Sequence, residues 1–380
     1  MTVLVFNAGS SSLKFALFSG EGREPAASGT IDLERETIEF PAAVQKAIER
    51  LAPHLAPPAR LDGVGHRIVH GGERFQEPVL FDDALERELA SIAEIAPLHN
   101  PRALEVLKAA RGLLPDAPHV AVFDTGFFST LPLRSRVYPL PWEWHTEWGI
   151  HRFGFHGLSH EYSAMRASEM TGGRIGAPLK IVSCHLGQGC SAAAVSGHTP
   201  VATTMGFTPL EGLMMGSRSG SVDPGILPHV LRVAGWQPDQ LEDALNRRSG
   251  LLGVSGVSSD YRQVETAADS GNARARLALD LYADRVRDAI AAMAAALGGV
   301  DALLFTGGVG EHSASLRAAA CGSLGFMGVT LDPARNAAAS SEDRKISREG
   351  SSVKIFAIQA REEWIIARKT RGLLSERAKP

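Results

Sequence analysis

The chain has 380 residues, a length that predicts two to three domains. Its 39 basic and 42 acidic residues leave a formal charge of -3, which offers no attraction to nucleic acid or to an anionic membrane, and 44% hydrophobic residues exclude a disordered chain. Three cysteines make no disulfide framework and fit a reducing compartment. The longest purely apolar run, Ala289 to Leu297, is far below the roughly 20 residues that span a bilayer, and the apolar start MTVLVFNAGSSS is too short for a secretory signal. A cytoplasmic α/β enzyme is the class these features predict.

The chain opens with a strand, Val3 to Phe6. The turn Asn7 to Ser12 follows, then a second β-rich run, Leu13 to Phe18; together they read as a hairpin. Helical spacing runs from Pro41 to Leu55, where Pro53, Pro57 and Pro58 break it. Asp62 to His70 carries a buried strand ending at Gly71-Gly72. Asn100-Pro101 marks a helix start, with proline at the first helical position, and the helix reaches about Arg111. Val120 to Phe123 is a short strand leading into Asp124-Thr-Gly126. His156 to Met170 reads as a turn and then a helix.

A second hairpin stands at mid-chain. Lys180 to Cys184 is its first strand, His185 to Ser191 its turn and Ala192 to Val195 the start of its return. VLVFNAGSSSLKFALF and KIVSCHLGQGCSAAAV share this layout, which predicts an ancient duplication; the alternative is that any two hairpins look alike. Asn272 to Leu297 is the longest helix candidate. Ala302 to Phe305 is a strand running into Thr-Gly-Gly-Val-Gly310. Val353 to Ile358 is a late strand, and Glu362 to Leu374 a closing helix. Alternating strands and helices, with a hairpin opening each half, predict two α/β domains facing each other across a cleft.

Several segments carry chemistry. Asn7-Ala-Gly-Ser-Ser-Ser-Leu-Lys14 exposes backbone N–H groups and hydroxyls that suit phosphate oxygens, with Lys14 as a point charge; it lacks the Walker GK[ST] order, and a plain hairpin turn is the competing reading. Gly187-x-Gly189-x-x-Ala192 mimics a dinucleotide fingerprint, but Ser-Gly-His-Thr-Pro200 follows too soon for the helix that fingerprint must open, so a second phosphate-facing turn is preferred. Phe305-Thr-Gly-Gly-Val-Gly-Glu-His-Ser313 places glycines between a strand and a helix start, where backbone can approach a nucleotide. Arg67 and Arg218 sit among Gly, His and Met with few other charges, as arginines that grip carboxylate or phosphate do. His156 and His160 have the spacing of a zinc helix pair, yet the HExxH glutamate is missing, so histidine donating to an anion is preferred. Asp124 and the pair Glu362-Glu363 supply carboxylates of the kind that orient a nucleophile or hold Mg²⁺ in phosphoryl transfer.

Taken together, VLVFNAGSSSLKF, GHRIVHGGE, PLHNP, VFDTGFF, RFGFHGLSHEY, HLGQGCS, GFTPLEGLMMGSRSG, FTGGVGEHS and REEWIIARKT resemble the acetate kinase family of the actin-like ATPase superfamily, from Val3 to about Thr370. The resemblance implies two duplicated RNase H-like domains with the active site in the cleft between them. The first would comprise 1–126 with 363–380 returning to it, and the second, nucleotide-binding domain 127–362. It implies a cytoplasmic homodimer that transfers the ATP γ-phosphoryl group reversibly to acetate, giving acetyl phosphate and ADP. Neither nucleic acid nor membrane is implied as a partner.

Position by position, the resemblance assigns Asn7 and Glu362 to Mg²⁺, with Mn²⁺ as an alternative ion. Arg67 and Arg218 hold acetate and the migrating phosphoryl group, Asp124 is the acid at the acetate site, and His156 meets the transition-state oxygens. His99 and His185 are further active-site histidines. Val69, Leu98, Phe155 and Pro209 match the pocket for the acetate methyl. Lys14, the turn His185, Leu186, Gly187, Gln188 and Gly189, the run Asp260, Tyr261 and Arg262, and Gly307, Gly308, Val309, Gly310 and Glu311 match the nucleotide side. Four positions in three places depart from the family pattern: Gln188 for Asn, His312 for Asn, and Ala360-Arg361 for Thr-Asn. A propionate or butyrate kinase is the nearest alternative. A non-catalytic actin-like ATPase is the alternative of another class, one that would leave Arg67, Arg218 and the apolar quartet without a purpose.

Overall fold

The structure is a computed structural model and describes residues 1–9, 12–55, 61–91, 100–172 and 177–377. It separates into two compact units, Met1–Ser129 with Arg361–Pro380, and Thr130–Ala360. Glu362 therefore belongs to the first unit.

The first unit is built on strands β1 (Thr2–Ala8), β2 (Ser12–Ser19), β3 (Ala27–Asp32), β4 (Gly63–Ile68), β5 (Val79–Leu80) and β6 (His119–Phe123), in the sheet order β3-β2-β1-β4-β6-β5. β1 to β3 form an antiparallel meander, whereas β1, β4 and β6 run parallel. The apolar run of β1 is buried on both faces, as a central strand requires. Leu4, Phe6 and Ala8 on one face join Leu13, Phe15 and Leu17 in a core with Ala43, Val44, Ala47 and Leu51 of the helix Phe40–Leu55. That helix continues through Pro53, where a break was expected. So near the C-terminal end the ring removes one helical hydrogen bond and the turn survives.

The opposite face is covered by the closing helix Glu362–Arg377. Its approach depends on two glycines of β4. A Cβ on Gly65 would collide with Thr370 and Ile366, and one on Gly63 with Leu374. Arg67 follows in the same alternation, so it shares the face on which this helix lies.

The second unit repeats the plan with β7 (Lys180–Leu186), β8 (Cys190–Ser196), β9 (Thr199–Thr203), β10 (Ala302–Thr306), β11 (Arg344–Lys345) and β12 (Lys354–Ala357), in the order β11-β12-β10-β7-β8-β9. Again the first three strands form a meander, the parallel strands are β7, β10 and β12, and a short antiparallel strand closes the edge. Two hairpins alone can look alike by chance; two six-stranded sheets with one order and one pattern of directions are a duplication. Each unit is thus an α/β domain of the RNase H-like type. β8 returns as a strand where a dinucleotide fingerprint would open a helix. The helix Ala273–Leu297 lies against β7 and β8; Asn272 caps its start by accepting from the Ala275 N–H, and Gly298 ends it in the left-handed region. Among the described residues no helix is long and apolar enough to cross a membrane.

Candidate active site

In the first unit the carboxyl ends of three parallel strands bring Asn7, Arg67 and Asp124 together. Arg67 donates to Asp124 Oδ2 at 2.7 Å and to Asn7 Oδ1 at 3.2 Å. The Asn7 amide donates in turn to Glu362 Oε2 and to Glu363 Oε1, each at 2.9 Å. Asp124 is fully buried and Glu362 nearly so. Burial alone would favour the neutral form of Arg67, but the charges of Asp124, Glu362 and Glu363 outweigh it and raise its pKa, so the guanidinium stays charged. Arg67 therefore lies in the strand expected over Asp62 to His70, in a buried ion pair with Asp124. Lys14 stands opposite Asn7 in the β1–β2 register and is exposed. Gly9 N–H donates to Ser12 O to close the turn. Val69 is buried at the end of β4. Leu98 and His99, with Ser10 and Ser11 of the phosphate-side turn, lie outside the described residues.

In the second unit His156 stands before the helix Gly157–Thr171 in the left-handed region, at φ 56° and ψ 30°. A non-glycine residue held there carries strain, and such strain collects at functional sites. Its ring stacks on His185 at 4.2 Å between centroids, and its Nδ1 lies 2.9 Å from Ser191 Oγ. His185 Nδ1 meets Ser159 Oγ at 2.8 Å. Arg218 donates to the Pro209 carbonyl at 2.8 Å. A Cβ on Gly189 would meet His156 Nε2 at 2.9 Å and Arg218 Nη1 at 3.8 Å, so the turn brings both groups to one place. Phe155 is buried beside them. His160 spends both ring nitrogens on Ser183 and Ser191, which agrees with the preference against zinc. Among the described residues no cluster of three His, Cys, Asp or Glu side chains could hold a metal.

The same unit holds a cavity of about 460 Å³, lined by Gly187, Gln188, Asp260, Tyr261, Arg262, Gly308 and Val309 among others. Its size suits a nucleotide. Leu186, Gly307 and Gly310 lie buried behind that lining, and Glu311 turns its carboxylate to the Ala360 N–H at 2.9 Å. The two glycines of the FTGGVG turn differ. Gly307 has φ 78° and a Cβ there would lie 2.7 Å from Leu186 O, whereas a Cβ on Gly308 would meet nothing within 4 Å. The fold requires the first glycine; the second leaves room above the cavity. Ser313, at the end of the expected Phe305–Ser313 segment, also lines it, as do Leu251, Ser259 and Glu265, which nothing in their local sequence singled out. Also missed was the buried pair His66 and His119, whose rings meet at 2.9 Å behind the β4 and β6 strands.

A profile of the acetokinase family matches residues 2–368. The chain belongs to the acetokinase family. It is 46% identical to an acetate kinase of a Synechococcus species over 98% of this chain and 99% of that protein. Among solved structures, the Porphyromonas gingivalis acetate kinase is 36% identical with a TM-score of 0.86, covering 98% of this chain and 99% of its own. A Francisella tularensis propionate kinase superposes with the same TM-score of 0.86 at 32% identity, covering 97% of this chain and 98% of its own. The acetokinase fold thus accommodates more than one acid, and the acceptor has to be argued from side chains.

Two departures from the acetokinase pattern have a structural setting. A Cβ on Gly216 would collide with Gln188 Oε1, so the longer amide rests on a bare glycine backbone. Arg361 is seated in the first unit, where it pairs with Glu24 at 2.7 Å. That contact anchors the chain just before Glu362. His312 lines the cavity, and nothing in the structure explains the change from Asn.

Proposed function

We propose that the chain transfers the γ-phosphoryl group of ATP reversibly to acetate, giving acetyl phosphate and ADP. What carries this reading is the end-to-end relationship to acetate kinases, with every charged residue that the reaction needs present among the motifs. A carboxylate is already a competent nucleophile, so no strong base is required. The demand is to bring anions together and place them in line. Arg67 and Arg218 answer the charge, His156 donates to the transferred group, and Asp124 holds Arg67 in position. Val69, Leu98, Phe155 and Pro209 are the side chains we assign to the acetate methyl, and the cavity at Gly308 and Asp260 to ADP and ATP.

Mg²⁺ takes oxygen ligands, keeps several waters and needs only one or two carboxylates beside the nucleotide phosphates. Asn7 and Glu362 present such oxygens at the β1 end, with Glu363 adjoining, and so they fit that ion; Mn²⁺ suits the same donors. Held there, such an ion would offset negative charge on the transferred phosphoryl group. We also assign the chain to the cytoplasm as a homodimer. Support for a second copy comes from the helix Ile226–Ala234, which buries none of its residues and leaves Ile226 and Val233 exposed. A panel of C2 to C4 acids with ATP and with pyrophosphate tests the reading; turnover with pyrophosphate in place of ATP would overturn the nucleotide assignment.

A further inference from the structure

Behind His156 lies a chain of hydroxyls and imidazoles that the reaction itself does not consume. Ser183 Oγ is 2.9 Å from His160 Nδ1, His160 Nε2 is 2.7 Å from Ser191 Oγ, and Ser191 Oγ is 2.9 Å from His156 Nδ1. Ser183, His160 and Ser191 are all fully buried. They come from β7, the helix Gly157–Thr171 and β8, which pack on one another.

A hydroxyl carries one hydrogen. Among the described residues the two imidazoles are the partners of Ser191 Oγ, so its buried hydrogen is used only if Ser191 donates to one neutral imidazole and accepts from the other, which ties the proton positions of the two histidines together. Only two directions are open. In one, Ser183 donates to His160 Nδ1, His160 Nε2–H donates to Ser191, and Ser191 donates to His156 Nδ1. Every hydrogen in the chain is then used. In the other direction His156 Nδ1–H starts the chain and His160 Nδ1–H ends it on Ser183. His160 Nδ1 is the one partner of that hydroxyl among the described residues, so its hydrogen would be buried without an acceptor. An unmade buried hydrogen bond is the costlier arrangement.

We propose that Ser183, His160 and Ser191 are positioning residues that hold His156 neutral, with its one proton on Nε2. This rests on the acetate kinase reading above. The charged and titratable groups around His156 agree: Arg218 borders the same Gly189 turn, His185 stacks on the ring, and His160 stands behind Ser191. A second positive charge beside Arg218 would be repelled. The left-handed backbone at His156 sets the ring between Ser191 and Gly189. A neutral imidazole is far too weak an acid to lose Nε2–H to a phosphoryl oxygen. It remains a donor throughout the transfer, while the two arginines supply the charge.

The test uses the full chain labelled with ¹⁵N-histidine and two-bond ¹H–¹⁵N correlation spectra at pH 7.5, with His156→Gln and His160→Gln assigning the signals. Both rings are expected as neutral Nε2–H tautomers. Ser183→Ala removes the first donor; both histidines should then show mixed tautomers, and kcat should fall about 3- to 10-fold, the scale of one hydrogen bond, while KM for ATP and acetate stays within about 2-fold. Ser191→Ala, which cuts the chain one step later, should do the same to His156 if Ser183→Ala folds poorly. An imidazolium or Nδ1–H tautomer at His156, or tautomers unmoved by either serine variant, would overturn the proposal. Wild-type turnover by His156→Gln with the tautomers as stated would instead remove His156 from the reaction, which is a failure of the underlying reading.

Discussion

Asn7 and Glu362, 355 positions apart in the chain, are joined by a 2.9 Å hydrogen bond from Nδ2 to Oε2. The same amide gives its other hydrogen to Glu363 and takes one from Arg67 on its oxygen. It therefore separates charges, with the guanidinium on one side and two carboxylates on the other. The contact exists because the closing helix settles on the bare backbone of Gly63 and Gly65. Its first turn then places both glutamates at the helix N-terminus, where the dipole favours them.

Glu362→Ala should raise the Mg²⁺ concentration for half-maximal activity by roughly 10- to 100-fold, the scale for losing a supporting metal contact. Glu363→Ala, whose carboxylate is less buried, should have the smaller effect. The measurement is a Mg²⁺ titration of each purified variant. A wild-type titration for Glu362→Ala would shift the assignment to Glu363 or to neither.

The two arginines should separate in stability. Arg67→Ala removes the guanidinium from its buried pair with the Asp124 carboxylate, and breaking such a pair costs about 3–5 kcal/mol. Arg218 is only half-buried and donates to the Pro209 carbonyl, so Arg218→Ala should cost less than the loss of the buried Arg67 pair. Both should lower kcat by at least ~10²-fold, and Lys should rescue either one only in part. Urea midpoints compared with single-substrate kinetics decide it. A fully active, folded Arg218→Ala would remove that residue from the site.

Gly307 and Gly308 should part in the same way. Gly307→Ala forces a side chain into the left-handed region against Leu186 and should destabilise the chain by about 1–3 kcal/mol. A Cβ on Gly308 meets nothing within 4 Å, so Gly308→Gln should leave the urea midpoint nearly unchanged. It should raise the ATP KM with the acetate KM nearly constant. An unchanged ATP KM would place the nucleotide elsewhere.

Much of this architecture was legible because local chemistry and global fold agree. The paired hairpins pointed to the duplication, and Asp124 just after an apolar strand pointed to a carboxylate at a strand end. Legibility failed where partners are distant. No local pattern ties Asn7 to Glu363, because the contact depends on a two-glycine face on β4 that seats the closing helix. Leu251 and Ser259 reach the cavity from the long insertion between β9 and β10, where spacing carries no period. His66 and His119 were invisible for a similar reason: each looks like an ordinary strand residue until the parallel register sets their rings in contact.

That histidine pair sets an acid limit. Burial, and for His66 the neighbouring His119, hold both rings below the usual histidine range. His151, buried beside Arg136, is pushed down to about 4. In the unfolded chain these rings take up protons near pH 6.5, so the unfolded state binds more protons below that value. Stability should be level above about pH 6.5 and fall as the pH drops, by about 1.4 kcal/mol per pH unit for each ring kept neutral. His66→Asn should flatten the fall by about one ring's share. Urea midpoints from pH 7.5 to 4.5 provide the check, and a slope identical to that of wild type would contradict it.

Hydroxylamine trapping reads the phosphoryl transfer at its product. With ATP, Mg²⁺ and acetate, the full chain should form acetyl hydroxamate, because acetyl phosphate is the product released. Propionate should follow with kcat/KM roughly 10- to 200-fold lower, since the apolar pocket we assign to the methyl would discriminate only modestly against one more methylene. ATP hydrolysed to ADP with no hydroxamate above background would contradict the account, and a higher kcat/KM for propionate than for acetate would overturn the acceptor.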